Sequence, residues 1–215
     1  MASPLDLLVP EQLPEAARSA MEPARLGLII TAVSEAVARY VGYPLHRRLG
    51  VVETAVGSGG VYLWLRSGAV RQIHRVEVRG EERDAGTYAL ESPTLGRLLA
   101  RGQPWPFTGE WTQGVSPTPL EARDTGELLV TYDAGWGTPG QHVLEESLVV
   151  DLPASIQLAA VEVVVATVSR DGKPGDVASE NIGATSMSYF AGEDGGRTAL
   201  PSTARQLLAP YRRPR

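Results

Sequence analysis

Residues 152–169 read LPASIQLAAVEVVVATVS, and whether they form a strand or a helix decides the fold. Five valines favour a strand, since β-branched side chains pack well on a pleated surface. The length argues the other way, because ordinary strands stop after five or six residues. Pro153 stands where a helix accepts a proline, in its first turn, and alanines are interspersed throughout. The stretch is therefore predicted to be a helix from Pro153 to about Ser169. Ile156, Leu158, Ala159, Ala160, Val161, Val163, Val164, Val165, Ala166 and Val168 make it apolar almost all round, so it must be covered on more than one side. In a small helical cluster a neighbouring subunit supplies the extra cover. Ile156, Val161, Val164, Val165 and Val168 are the expected subunit interface.

Outward from this helix, the pattern is helical at both ends and β-like between. Leu26, Ile29, Ile30, Val33, Val37, Tyr40 and Val41 recur at offsets of three and four, predicting a helix over residues 22–41. Pro23 suits its first turn, and Gly42 with Pro44 stops it. At the other end Leu200, Ala204, Leu207, Leu208 and Tyr211 keep the same spacing. Between Leu49 and Gly137 the period changes to two. Residues 61–65, 73–79, 87–90, 96–100 and 127–133 read as short strands separated by Gly-rich turns. In the second of these, Ile73, Arg75, Glu77 and Arg79 alternate with His74, Val76 and Val78, so one face should meet water. The expected architecture is α+β. Residues 1–22, rich in Pro, Glu and Ala, form an N-terminal arm or short helix of low independent stability, 23–48 and 138–211 a small helical bundle, and 49–137 a β-rich domain inserted between helix one and helix two. Residues 212–215 form a basic tail.

Composition narrows the function. With 215 residues, 43% of them hydrophobic, the chain can bury a real core. No cysteine is present, so disulfides and thiolate metal sites are excluded. Twenty basic against twenty-five acidic residues give a net charge of −5, the wrong sign for a protein that grips phosphates. No apolar run approaches the roughly 20 residues that span a bilayer, and residues 1–10 carry no basic residue of a secretory signal. The expectation is a soluble protein, intracellular when made, with no membrane partner.

Catalytic readings find little support. His46, His74 and His142 are scattered, with no pair at metal-ligand spacing. No G-x-S-x-G elbow supplies a nucleophile. Gly57 to Gly60 lacks the Lys-Ser/Thr of a phosphate loop, and Gly172-Lys173 is followed by Pro174, so both read as turns. Glu81-Glu82 and Glu145-Glu146 are sequence neighbours facing solvent rather than an acid/base pair. No cofactor or metal is expected, and the chain reads as no enzyme. Residues 101–126 hold Trp105, Trp111 and four prolines, long for a plain loop and suited to wrapping on a partner. Trp105 and Trp111 are the expected contacts of that loop with a neighbouring subunit or another protein. A sugar-binding face on the same rings is the alternative.

Several segments, in order, resemble the head-to-tail connector (adaptor) proteins of tailed phages. Tyr40-Val41-Gly42-Tyr43-Pro44 is similar to the element that closes that family's first helix. Trp105-Pro106, then Val130-Thr131-Tyr132-Asp133-Ala134-Gly135-Trp136, resembles its Trp-Pro and "V-T-Y-x-A-G-aromatic" strand. Leu152-Pro153-Ala154-Ser155-Ile156-Gln157-Leu158-Ala159 resembles its second helix opening. Glu180-Asn181-Ile182-Gly183 with Ser186 to Tyr189, and Leu207-Leu208-Ala209-Pro210-Tyr211-Arg212-Arg213, are similar to its closing segments. The likeness covers roughly residues 25–213, with an insert larger than in the short all-helical connectors.

The resemblance implies a structural virion protein, made in the host cytoplasm and placed at the head-tail interface. It implies a homo-oligomeric ring of twelve that docks under the portal protein and joins it to the stopper or tail. Double-stranded DNA would pass through the lumen without specific binding, and an acidic ring suits that passage. Tyr211, Arg212, Arg213 and Arg215 would then dock on the portal, with Tyr211 as an apolar anchor and the arginines pairing with carboxylates. Another tail or baseplate protein, or a carbohydrate-binding module using Trp105 and Trp111, are the readings from other classes.

Overall fold

The chain runs α1 (Glu15–Ser19), α2 (Pro23–Val41), β1 (Arg48–Ala55), β2 (Tyr62–Trp64), β3 (Val70–Val78), β4 (Glu81–Glu82), β5 (Tyr88–Ser92), β6 (Arg97–Ala100), β7 (Leu128–Ala134), α3 (Pro139–Leu144), α4 (Ala154–Arg170), β8 (Ser179–Ile182), β9 (Thr185–Ser188) and α5 (Ser202–Leu208). It is an α+β protein with a β-rich region between helices. The structure, a computed structural model, describes residues 3–107, 128–170, 179–182, 185–188 and 200–213. Two units separate: Met1–Val41 with Gly137–Pro210, and Gly42–Trp136 with Tyr211–Arg215.

In the helical unit, α4 packs against α1, α2 and α5. It buries Ile156, Ala159, Ala160, Val163, Val164 and Val168, while α2 contributes Leu26, Ile30, Val33, Val37 and Val41. The long valine-rich stretch is thus helical, and its Val/Ala content fills a core rather than a pleat.

Residues 3–22, expected to be an arm or short helix of low independent stability, hold the short helix α1 and draw their support from packing. Leu7, Leu8, Leu13 and Ala17 are buried, and each leucine gains roughly 1.5–3 kcal/mol on leaving water. The backbone is satisfied as it enters. Leu7 N–H donates to Ser34 Oγ at 2.9 Å, and the buried Asp6 carboxylate accepts from Ser3 N and Thr31 Oγ1, each at 2.7 Å. Gly140 N–H donates to Asp6 O at 3.1 Å. A Cβ at Gly140 would stand 2.2 Å from Ser3 O, so the approach requires glycine.

The β-rich unit holds two antiparallel sheets, ordered β1-β7-β3-β4 and β2-β6-β5. Leu63, Leu98 and Tyr88 from the smaller sheet meet Ala55, Val76, Leu128, Val130, Tyr132 and Ala134 from the larger in one core. β7 is an inner strand, alternately buried along its length. β1 was not anticipated, and the face assignment of β3 needs correction. A register shift between Ile73 and Arg75 turns His74 outward instead of in line with the buried Val76.

Candidate assembly surfaces

α4 is covered unevenly. Of the five residues expected at a subunit interface, Ile156, Val164 and Val168 are buried within the single chain. They belong to its own core. Val161 and Val165 are half-buried and Leu158 is 50% exposed. Offsets of three and four put these three on one stripe, so the apolar surface α4 leaves open is narrower than expected and includes Leu158, which sequence reasoning did not single out.

The C-terminal segment is engaged by its own chain. Tyr211 meets the Trp136 ring edge-on, with centroids 5.8 Å apart. A Cβ at Gly42 would lie 3.5 Å from Arg213 Cβ, which places the tail against the start of the β-rich unit. Tyr43, buried beside them, has its phenol pushed up by desolvation and then by Tyr211. Tyr211 is therefore half-buried and held within its own chain by Trp136. Arg212 is exposed, Arg213 half-buried, and Arg215 lies outside the described residues.

Trp105 lies inside the β-rich unit. Its ring is buried in the β-rich core, tilted against Tyr88 at 6.2 Å. Its Nε1 donates to Val61 O at 3.1 Å, and the Arg83 guanidinium covers the ring at 4.7 Å. Burial removes it both from a partner interface and from a sugar platform. The flanking Pro104 and Pro106 suggested surface, but an indole with its N–H satisfied is equally at home inside. Trp111 and most of the expected 101–126 loop lie outside the described residues. The segment around Gly183, and Tyr189, do so too.

The motif 130–136 is used residue by residue. Val130 and Ala134 are core. The Tyr132 hydroxyl donates to Glu53 Oε2, and the same buried carboxylate accepts from Arg66 N at 2.8 and 3.0 Å. Burial, then the Glu53 hydrogen bond, pushes the Tyr132 phenol up to about 12. Asp133 takes Gly50 N–H at 2.8 Å and pairs with His74 at 2.8 Å. Burial alone would raise its pKa, but the Gly50 bond and then His74 outweigh it and hold the carboxyl low. Gly135 has φ +85°, and a Cβ there would stand 2.0 Å from His46 O, so only glycine fits before Trp136.

This polar web braces a sheet and offers no open reaction chemistry. Among the described residues, no three His, Asp or Glu side chains gather to hold a metal ion, and no helix is long and apolar enough to cross a membrane.

The fold has counterparts among solved structures. A chain in the neck of a native GTA particle computed with C12 symmetry aligns over 100% of this chain and 93% of its own length, with a TM-score of 0.51 and 15% identity. A chain in the virion of a native gene transfer agent (GTA) particle aligns over 100% and 94%, with a TM-score of 0.49 and 17% identity. No family model and no curated protein matches the sequence. At 15% identity the first likeness speaks to the fold.

Proposed function

We propose that the chain is a structural virion protein, a head-to-tail adaptor that assembles into a ring beneath the portal and connects it to the stopper or tail. One observation carries the reading: its fold runs end to end with that of a chain from a particle neck of C12 symmetry. The ring would hold twelve copies. The protein would act by shape and contact, with no catalysis and no cofactor.

In this reading the half-exposed stripe Leu158, Val161 and Val165 faces the next subunit in the ring. Arg212, Arg213 and Arg215 reach carboxylates of the portal, and Tyr211, seated on Trp136, fixes the root of that tail. Double-stranded DNA passes through the lumen. The sequence of the helical unit holds fourteen acidic against seven basic residues, which favours a surface the DNA slides past.

Negative-stain microscopy of the purified chain, alone and mixed with its portal, tests the reading. Closed rings that stack coaxially on the portal are expected. A chain that stays monomeric both alone and beside the portal overturns it.

A further inference from the structure

The smaller sheet, β2-β6-β5, turns an aromatic face to water. From Tyr62 to Arg66 the side chains alternate, so Leu63 and Leu65 are buried while Tyr62, Trp64 and Arg66 are exposed on one side. Arg97 on β6 stands directly opposite Trp64. Its guanidinium lies 5.0 Å from the Tyr62 ring centre and 5.2 Å from that of Trp64, and Glu91 holds it at 2.8 Å. Both rings are thereby pinned, with little side-chain freedom left to lose on binding. Trp, Tyr and Arg are the side chains that carry most of the energy in protein interfaces. Arg97 and Glu91 cancel, so the net charge of this face is that of Arg66. The Arg66 backbone N–H is held by the Glu53 carboxylate, and no described residue pairs with its exposed guanidinium.

The helical unit carries a patch of the opposite charge. Residues 141–150, QHVLEESLVV, include Glu145 and Glu146 and no lysine or arginine. Val143, Leu144 and Val149 are each more than half exposed, with Val150 beside them. The backbone beneath these side chains is bonded throughout. Thr138 Oγ1 accepts from Gln141 N at 3.2 Å and caps α3. Glu145 N–H donates to Gln141 O, and Leu148 N–H to Glu145 O. His142 Nδ1 donates to Leu148 O at 2.8 Å, and Gly137 N–H to Asp151 Oδ1, at 2.7 Å, closes the base. Aliphatic chains on a fixed, acidic knob suit a pinned aromatic face with a basic rim.

We propose that the 143–150 knob of one copy docks on the Tyr62–Trp64 face of a second copy of this chain, its glutamates turned to Arg66. Charge selects the pairing. Knob against knob brings Glu145 and Glu146 onto their own kind, and face against face does the same for Arg66. Like charges at an interface are strongly disfavoured. The open stripe of α4 is bordered by Glu162, which repels the knob in the same way. The exposed Leu49, Val52 and Val56 of β1 have no spare cation beside them, since Arg47 is engaged within its own chain and Arg48 is held by Ser67. Knob against the β2 face joins apolar to aromatic and carboxylate to guanidinium. Two different patches on each copy make the contact heterologous, which propagates head to tail and closes where the rotation permits. The inference rests on the ring reading above and adds a second contact to the one on α4.

Charge reversal at exposed positions tests the pairing. Glu145→Arg with Glu146→Arg makes a chain with a basic knob and a basic face; Arg66→Glu makes one acidic at both. Each alone should lose self-association by about tenfold or more, while an equal mixture of the two should co-assemble with alternating chains. Circular dichroism checks that both fold. Val149→Lys on the knob and Tyr62→Ser on the face should weaken association as strongly, and they carry the test if a reversed chain does not fold.

Mass photometry and sedimentation read the outcome. Either reversed chain assembling alone as the wild type does, a mixture that stays apart, or a wild type monomeric at about 0.1 mM overturns the proposal. Closed wild-type rings indifferent to these changes leave the ring reading standing and sink this contact. Open filaments sensitive to them uphold the contact and sink the ring.

Discussion

Tyr211 meets Trp136 edge to face, their planes at 85° and their centroids 5.8 Å apart. Such pairs contribute about 0.5–1.5 kcal/mol beyond the area they bury. Tyr211→Ala should lower the urea midpoint of the β-rich unit accordingly and alter Trp136 emission, whereas Tyr211→Phe should preserve both. Unchanged emission and midpoint in Tyr211→Ala would show that the contact holds nothing.

Because Tyr211 is the root of the tail, the place of truncation matters. A chain ending at Tyr211 keeps the aromatic pair and loses Arg212, Arg213 and Arg215. It should retain its circular dichroism and its tryptophan emission but lose cosedimentation with portal. The intact complex should also weaken as salt is raised, since the pairing is electrostatic. Equal portal binding by the shortened and full chains would remove the arginines from the interface.

Tyr132 predicts an alkaline weakness. Its folded phenol titrates near 12 against an ordinary value of 10.0. The folded state thus binds its proton more tightly, and stability is intact below pH 10 and falls as pH rises from there through the folded value. The loss is on the order of 2–3 kcal/mol. Tyr132→Phe should cost about 1–2 kcal/mol at neutral pH, from the lost bond to Glu53, and should flatten the decline above pH 10. An identical decline in the phenylalanine variant would move the effect to another group, Tyr43 and Tyr88 being the candidates because their shifts have the same sign.

These same residues explain what could and could not be read in the sequence. α2 and α4 were legible because one stripe or an unbroken apolar run survives in them. β1 was not, since Glu53 occupies an inward position and Gly50, at φ +59°, sits in a register shift that breaks the alternation. The Glu53 carboxylate is tolerated inside only because Tyr132 and Arg66 N–H satisfy it, partners remote in sequence. The bulge in β3 misassigned His74 for a similar reason. α3, six residues long, falls below any periodicity window, although Thr138, Pro139 and Gln141 spell a capping box. Leu7, Leu8 and Leu13 follow neither period, so their burial came from tertiary packing alone. Trp105 was misread by its prolines.

Asp133 predicts the acid side. Its folded carboxyl is held below the ordinary 3.8, so the stability it confers is complete above that value and is lost as pH falls through the lowered one. Asp133→Asn should destabilise the β-rich unit by about 1–2 kcal/mol at neutral pH, loosening the Gly50 turn that Asp133 caps. The gap between variant and wild type should close as the pH drops below about 4. A gap independent of pH would mean that the asparagine acts by shape and not by lost charge.

α4 separates folding from assembly within one helix. Val164 is buried against its own unit, and Val161, three residues before it, is only half-buried. Arg at Val164 places a charge with no partner in the core, which costs several kcal/mol, of the 3–5 kcal/mol order seen when a buried pair is broken. That variant should unfold at markedly lower urea or fail to accumulate. Arg at Val161 can bend its long apolar stem along the helix and lift the guanidinium into water. It should leave the monomer within about 1 kcal/mol of wild type and act only where a neighbouring copy must cover the stripe. The paired measurement is a urea titration for stability and mass photometry for ring formation. If Val161→Arg folds and still forms rings, the Leu158–Val161–Val165 stripe faces solvent in the assembly and the subunit contact lies elsewhere.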